Sequence, residues 1–113
     1  MKSKIIALSR NEDFKKLLQK KKNSNTYITI YYGNLDNHRK NKLNISFVAK
    51  KKIGNAVKRN KIKRRLRQIF NHAIKEISIK FEYSYLVIAK PTMLSSDYTN
   101  IKKTLFQEIK KIR

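Results

Sequence analysis

The sequence predicts an α+β fold: one two-layer domain over residues 1–113 with elements in the order α-β-β-α-β-α. Three observations carry this. The chain has 113 residues and is 40% hydrophobic, which suits one domain with a modest core. Three segments alternate apolar and polar residues with the period of a strand. Three others repeat apolar residues at helical spacing.

The elements follow in chain order. Asn11-Glu12-Asp13 has the form of a helix start, a capping residue followed by acids in the first turn. Phe14, Leu17 and Leu18 continue at helical spacing, and the lysines at 20–22 close the segment. Tyr27 to Gly33 is β-branched and aromatic and predicts a strand. Residues 34–42 form a polar loop. Leu43 to Ala49 alternates and predicts a second strand, joined by a basic connection, Lys50 to Gly54, to the longest helical pattern. That pattern runs from Ala56 to about Lys80, with Ile62, Leu66, Ile69, Phe70, Ala73 and Ile77 as its apolar stripe. Tyr83 to Lys90 predicts a third strand, stopped by Pro91. Ser95 or Ser96 can cap a last helix that turns Tyr98, Ile101, Leu105, Ile109 and Ile112 inward.

Strand parity gives the sheet two unlike faces. Ile28 and Ile30, with Leu43, Ile45 and Phe47, make an apolar face. Tyr27, Thr29 and Tyr31, with Asn44, Ser46 and Val48, make a mixed one. Aromatic rings on a sheet can stack unpaired bases. The first helix covering the same face is an equally good reading of those tyrosines.

Charge narrows the function. The chain carries 29 Lys and Arg against 7 Asp and Glu, a formal net charge of +22. Such an excess repels itself and attracts a polyanion, nucleic acid first and an anionic membrane surface second. Lys, Asn and Ile are abundant throughout, so biased coding could supply part of the lysine. The arginines resist that reading, because Arg59, Arg64, Arg65 and Arg67 cluster in KRNKIKRRLR, Lys58 to Arg67. Arginine presents a planar fork for bidentate phosphate contact that lysine lacks.

On a helix, Asn60, Arg64 and Arg67 form one line beside the apolar stripe, with Lys63 leading into it. Lys61, Arg65 and Gln68 form a line on the opposite flank. A helix start favours acids, and like charges at i,i+4 oppose the fold. This segment breaks both preferences, and bound phosphate would compensate for both. A solvated basic face is the plainer alternative.

The catalytic inventory is thin. There is no Cys, so disulfides and thiolate metal sites are excluded. His38 and His72 have no evident partner, and no metal spacing, nucleophile elbow or phosphate-binding glycine loop occurs. The apolar run Ile5 to Leu8 is too short for a signal peptide, and no stretch has membrane-spanning length, so the expected location is the cytoplasm.

The run KKKIGNAVKRNKIKRRLRQIF, Lys50 to Phe70, closely resembles the signature of the bacterial ribonuclease P protein subunit. LSRNEDFKKLL resembles that family's first helix, and FEYSYLVIAKP its last strand with the following proline. The resemblance implies a left-handed βαβ crossover through the long helix, against a right-handed rule that holds in roughly 98% of cases. It implies an endoribonuclease made of protein and RNA, in which the RNA cleaves precursor tRNA at the mature 5′ end with Mg²⁺. The protein then holds no catalytic residue and no cofactor or metal of its own. Its implied partners are the ribonuclease P RNA, one to one, and the single-stranded 5′ leader of precursor tRNA; no membrane and no small-molecule substrate is implied.

Carried over by position, Arg59, Asn60, Lys61, Lys63, Arg64 and Arg67 face the catalytic RNA. Two of Lys50, Lys51 and Lys52 match the family's double-lysine loop, and Lys51 and Lys52 join the RNA-facing set. Phe14, Leu18, Tyr31 and Val48 match the leader cleft, with Tyr27 as the alternative to Tyr31. Leu18 stands where the family often has an aromatic. Two readings outside the family remain at this point. One is a purely structural RNA-binding protein such as a ribosomal component. The other is a membrane-surface protein resting on the basic amphipathic helix.

Overall fold

The computed structural model describes residues 5–8, 11–35, 42–77 and 79–112. The elements are β1 (Ile5–Ile6), α1 (Asn11–Leu17), β2 (Lys21–Ser24), β3 (Ile28–Gly33), β4 (Leu43–Val48), α2 (Ala56–Glu76), β5 (Ser84–Ala89) and α3 (Tyr98–Lys111). Short 3-10 turns occupy Lys51–Ile53 and Pro91–Leu94. The predicted α-β-β-α-β-α order is present, with two further strands, β1 and β2. The polar loop expected at 34–42, with His38, lies outside the described residues except for Asn34, Leu35 and Lys42.

The strands form one mixed sheet in the order β1-β4-β5-β3-β2. β5 is central, antiparallel to β3 from Ile28 opposite Ala89 to Gly33 opposite Ser84. It is parallel to β4 from Asn44 opposite Ser84 to Val48 opposite Ile88. α2 therefore carries the chain from β4 to its parallel neighbour, which is the βαβ unit anticipated from the sequence.

The apolar strand face packs beneath α2 and α3. Ile28, Ile30, Leu43, Ile45, Tyr85 and Val87 meet Ile62, Leu66, Ile69, Phe70, Ile101 and Leu105 there, all at 2% exposure or less. Each such side chain contributes roughly 1.5–3 kcal/mol by leaving water. Phe47 and Phe70 pack with ring centroids 5.5 Å apart. The Tyr85 hydroxyl donates to the Lys80 carbonyl at 2.7 Å. Its burial, helped by the nearby Glu82 charge, pushes its pKa well above the ordinary phenol range.

Several boundaries differ from the expectation. α1 ends at Leu17, and Lys21 and Lys22, expected to close that helix, instead pair with Tyr32 and Tyr31 in β2. α2 stops at Glu76, four residues short of Lys80. Ile77 is already extended, and it packs with Ile79 and Phe81 against the main core rather than continuing a helical stripe. The cap of α3 is Asp97, whose side chain accepts from the Asn100 N–H at 2.8 Å. Neither Ser95 nor Ser96 takes that role, because Ser95 closes the preceding 3-10 turn through its N–H to the Thr92 carbonyl.

Candidate nucleic-acid interface

The first surface is the start of α2. The chain leaves β4 through the 3-10 turn at Lys51–Ile53 and reverses at Gly54, whose φ of 153° suits a residue without a Cβ. Asn55 then caps α2, its side chain accepting from the Lys58 N–H at 3.0 Å. The first turn has no acidic residue. Ile62, Leu66, Ile69, Phe70 and Ala73 anchor one side of the helix in the core. Helical geometry leaves Lys58, Asn60, Lys61, Lys63, Arg64 and Arg67 exposed on the rest of its surface.

Arg59 differs from its neighbours. It is half-buried, and its buried Nε has no hydrogen-bond partner among the described residues. An unpaired buried donor carries a desolvation penalty of about 1–3 kcal/mol. The free protein leaves that penalty standing at the start of its most cationic segment.

The second surface is the other face of the sheet. α1 lies across β3 and β5 there. Leu17, Leu35 and Leu86 form a small cluster, against which Phe14, Tyr31, Val48, Ile88 and Leu8 pack half-buried. The structure thus brings together three of the four residues expected for a cleft. Leu18 does not join them. Leu17 takes the centre of the cluster, and Leu18, one position on around the helix, projects outward at 49% exposure. Tyr27, the alternative to Tyr31, packs against the main core instead.

Outside the part covered by α1 this face lines a cavity of about 210 Å³. Thr29, Tyr31, Ile88 and Ala89 line it with Pro91, and Lys50, Lys52 and Lys90 supply charge. Lys22, opposite Tyr31 in the β2–β3 register, places its Nζ 6.0 Å from the tyrosine ring centroid. Of the triple lysine, Lys50 and Lys52 face this cavity. Lys51 is exposed and is not part of the lining.

Sequence reasoning missed Lys22, Lys90 and Ile88, and it named Lys50 only as one of three candidates for the lysine pair. Parity could have found Ile88, which is two residues from Leu86 on the same face. Lys22 required knowledge of β2, and Lys90 required knowledge of the turn beyond β5. The 3-10 turn at Lys51–Ile53 leads from the cavity wall toward α2, so the lysines of the two surfaces are separated by only the uncharged stretch from Ile53 to Val57.

Among the described residues, no group of three or more His, Cys, Asp and Glu could hold a metal ion. No described helix is long and apolar enough to cross a membrane.

Comparison with known proteins agrees with this geometry. Residues 3–113 match the family model described as Ribonuclease P. The ribonuclease P protein component of Listeria monocytogenes serotype 4b is 35% identical over 108 residues, covering 95% of this chain and 87% of its own. That of Mycoplasma mycoides is 32% identical over 114 residues, with both chains fully covered. Among solved structures, the ribonuclease P protein of Thermotoga maritima superposes with a TM-score of 0.80 at 23% identity, over 96% of this chain and 98% of that one. The Staphylococcus aureus protein gives 0.74 at 27% identity, over 94% and 93%. The mixed five-stranded sheet and the three helices thus match solved ribonuclease P protein structures, and the chain belongs to the ribonuclease P protein family.

Proposed function

We propose that this chain is the RNA-binding subunit of a ribonuclease P holoenzyme, gripping the catalytic RNA with α2 and the 5′ leader of precursor tRNA with the cavity face. The observation that carries the reading is the pairing of two different surfaces. One is a cationic helix without stacking groups. The other is a groove in which a half-buried tyrosine lines the wall together with three lysines. Folded RNA presents phosphates to the first, and a single strand presents both phosphates and open base faces to the second.

On α2, Lys61, Lys63, Arg64 and Arg67 neutralise phosphates, and Asn60 adds a hydrogen-bonding side chain among them. Arg59 supplies the unpaired Nε, which an RNA oxygen satisfies on assembly, so the penalty carried by the free protein is recovered in the complex. Lys51 extends this set along the connecting turn. In the groove, Tyr31 and Ile88 form the apolar floor, Phe14 and Val48 extend it along the adjoining leucine cluster, and Lys50, Lys52 and Lys90 face the strand's phosphates. Leu18, turned outward, contributes only at the rim.

The RNA carries the chemistry in this reading, one RNA to one protein, in the cytoplasm. In this reading Mg²⁺ enters with the RNA and any ion at the protein is shared with phosphate oxygens. Neutralising phosphates where the RNA and leader converge lowers the Mg²⁺ the assembly needs and favours precursor over mature tRNA. The groove favours this reading over a purely structural RNA-binding protein, which needs no single-strand site.

The test is charge reversal. Arg64 and Arg67 are exposed, so Arg64→Glu with Arg67→Glu leaves the melting temperature nearly unchanged. Affinity for ribonuclease P RNA in a gel-shift titration should fall by about a hundredfold or more at physiological salt. Undiminished assembly would remove α2 from the interface.

A further inference from the structure

Lys90 is the most constrained cation of the cavity wall. Its backbone N–H donates to the Tyr27 carbonyl at 2.8 Å. Its Nζ donates to Ser24 Oγ at 2.8 Å and also to the Asn25 carbonyl. An ammonium has three N–H donors, so one remains. Surface lysines usually pay rotamer entropy to hold one geometry for a ligand. Here that ordering is done before any ligand arrives.

Asn25 in turn is held on every side. Its Oδ1 accepts from the N–H groups of Tyr27 and Ile28 at 2.8 and 2.9 Å. Its own N–H donates to the Ile28 carbonyl at 3.0 Å. Its Nδ2 donates to Glu108 Oε1 at 3.1 Å. Glu108 sits on α3 at 6% exposure. In a chain of net charge +22, a buried carboxylate is expected to meet a lysine or arginine. Among the described residues this one meets an asparagine amide instead, and that asparagine carries the carbonyl on which Lys90 rests.

We infer that Glu108 is a positioning residue for the cavity. Through Asn25 it fixes the Lys90 ammonium at the wall, leaving one N–H for a phosphodiester oxygen of a strand lying over Tyr31. The inference rests on the reading that this cavity takes the 5′ leader. It adds a role for α3, which otherwise only covers the core.

The experiment uses holoenzyme reconstituted with ribonuclease P RNA. It measures the ratio of affinities for a leader-bearing precursor tRNA and the mature tRNA. Glu108→Leu keeps an apolar side chain of similar size against the core and removes the acceptor. It should lower the ratio about five- to tenfold, as should Lys90→Ala, each being the loss of one charge-assisted contact. Glu108→Gln keeps an oxygen for Asn25 Nδ2 and should stay within about twofold of the parent. The double variant Glu108→Leu with Lys90→Ala should be no worse than Lys90→Ala alone, since the two act in series.

Asn25→Ser keeps a short side-chain oxygen that can cap Tyr27 and Ile28 but does not reach Glu108. It should give the same loss as Glu108→Leu, and it reads the same link should Glu108→Leu fail to fold. Additive losses in the double variant, or an unchanged ratio in Glu108→Leu beside a reduced one in Lys90→Ala, would overturn the positioning role. An unchanged ratio in Lys90→Ala would overturn it too, while leaving the Tyr31 groove standing. Absence of any leader preference in the parent protein would instead bring down the groove reading on which the inference rests.

Discussion

The two faces of the sheet are built from the same strands and end differently. Beneath α2 and α3 the face is dry: twenty-one and fourteen residues of helix cover it, and its central side chains have almost no contact with water. On the other face α1 is only seven residues long and covers only part of it, leaving the three-leucine cluster and then the open cavity. The long helices stabilise the fold. The short helix leaves part of the sheet uncovered, and Thr29, Tyr31 and Ile88 line the cavity there. The cationic turn at Lys51–Ile53 runs from the rim of this uncovered part to the start of the helix that covers the other face. On the proposed function, stability and recognition divide between opposite sides of one five-stranded sheet.

The sharpest way to break this comparison is to cut into each side. Phe70→Ala removes a fully buried ring beneath α2, next to Phe47. It should cost about 3–5 kcal/mol, enough to unfold much of a domain of this size. Leu17→Ala in the small cluster should cost about 2–3 kcal/mol, because its half-exposed neighbours can close over the space. Denaturant titration reads both. Equal losses would mean that the two faces share the load and that the division is false.

A smaller effect sharpens the comparison from the functional side. Tyr31 is half-buried at the edge of the cluster, so Tyr31→Ala should cost only about 1 kcal/mol of stability. It should nonetheless lower the holoenzyme's preference for precursor over mature tRNA about tenfold, as expected for loss of one base-stacking aromatic. A large drop in melting temperature with no change in that preference would move Tyr31 from recognition to packing.

What could be read from the chain follows the strength of each local signal. β3, β4 and β5 were legible because alternation of β-branched and aromatic residues with polar ones is a strand's own pattern. α2 was legible because its stripe from Ile62 to Ala73 outlasts a run of like charge. β2 was not: Lys21-Lys22-Asn23-Ser24 has no strand propensity, and it becomes a strand only by pairing with β3 at an edge where lysines also discourage further pairing. β1, two residues long, exists only through its pairing with β4.

Parity placed Tyr31 on the mixed face, and the structure keeps it there. Leu18 lies outside the cluster, and helical spacing alone cannot say which of two adjacent leucines takes its centre, as Leu17 does. The two readings weighed for the mixed face each describe part of it, since α1 covers one portion and leaves the other open. Lys90 and Glu108 were beyond reach, because their roles depend on a hydrogen bond between Asn25 and a residue 83 positions away. Short-range pattern carries no information about such a contact.

The central claim is that the two surfaces act together on one substrate. The most direct measurement is cleavage of precursor tRNA by a bacterial ribonuclease P RNA at low Mg²⁺, with and without this protein, as the leader is shortened. The account predicts strong stimulation with a leader long enough to cross the cavity, and loss of most of it when the leader is cut to one nucleotide. Tight binding to the RNA with no stimulation, or stimulation indifferent to leader length, would contradict it.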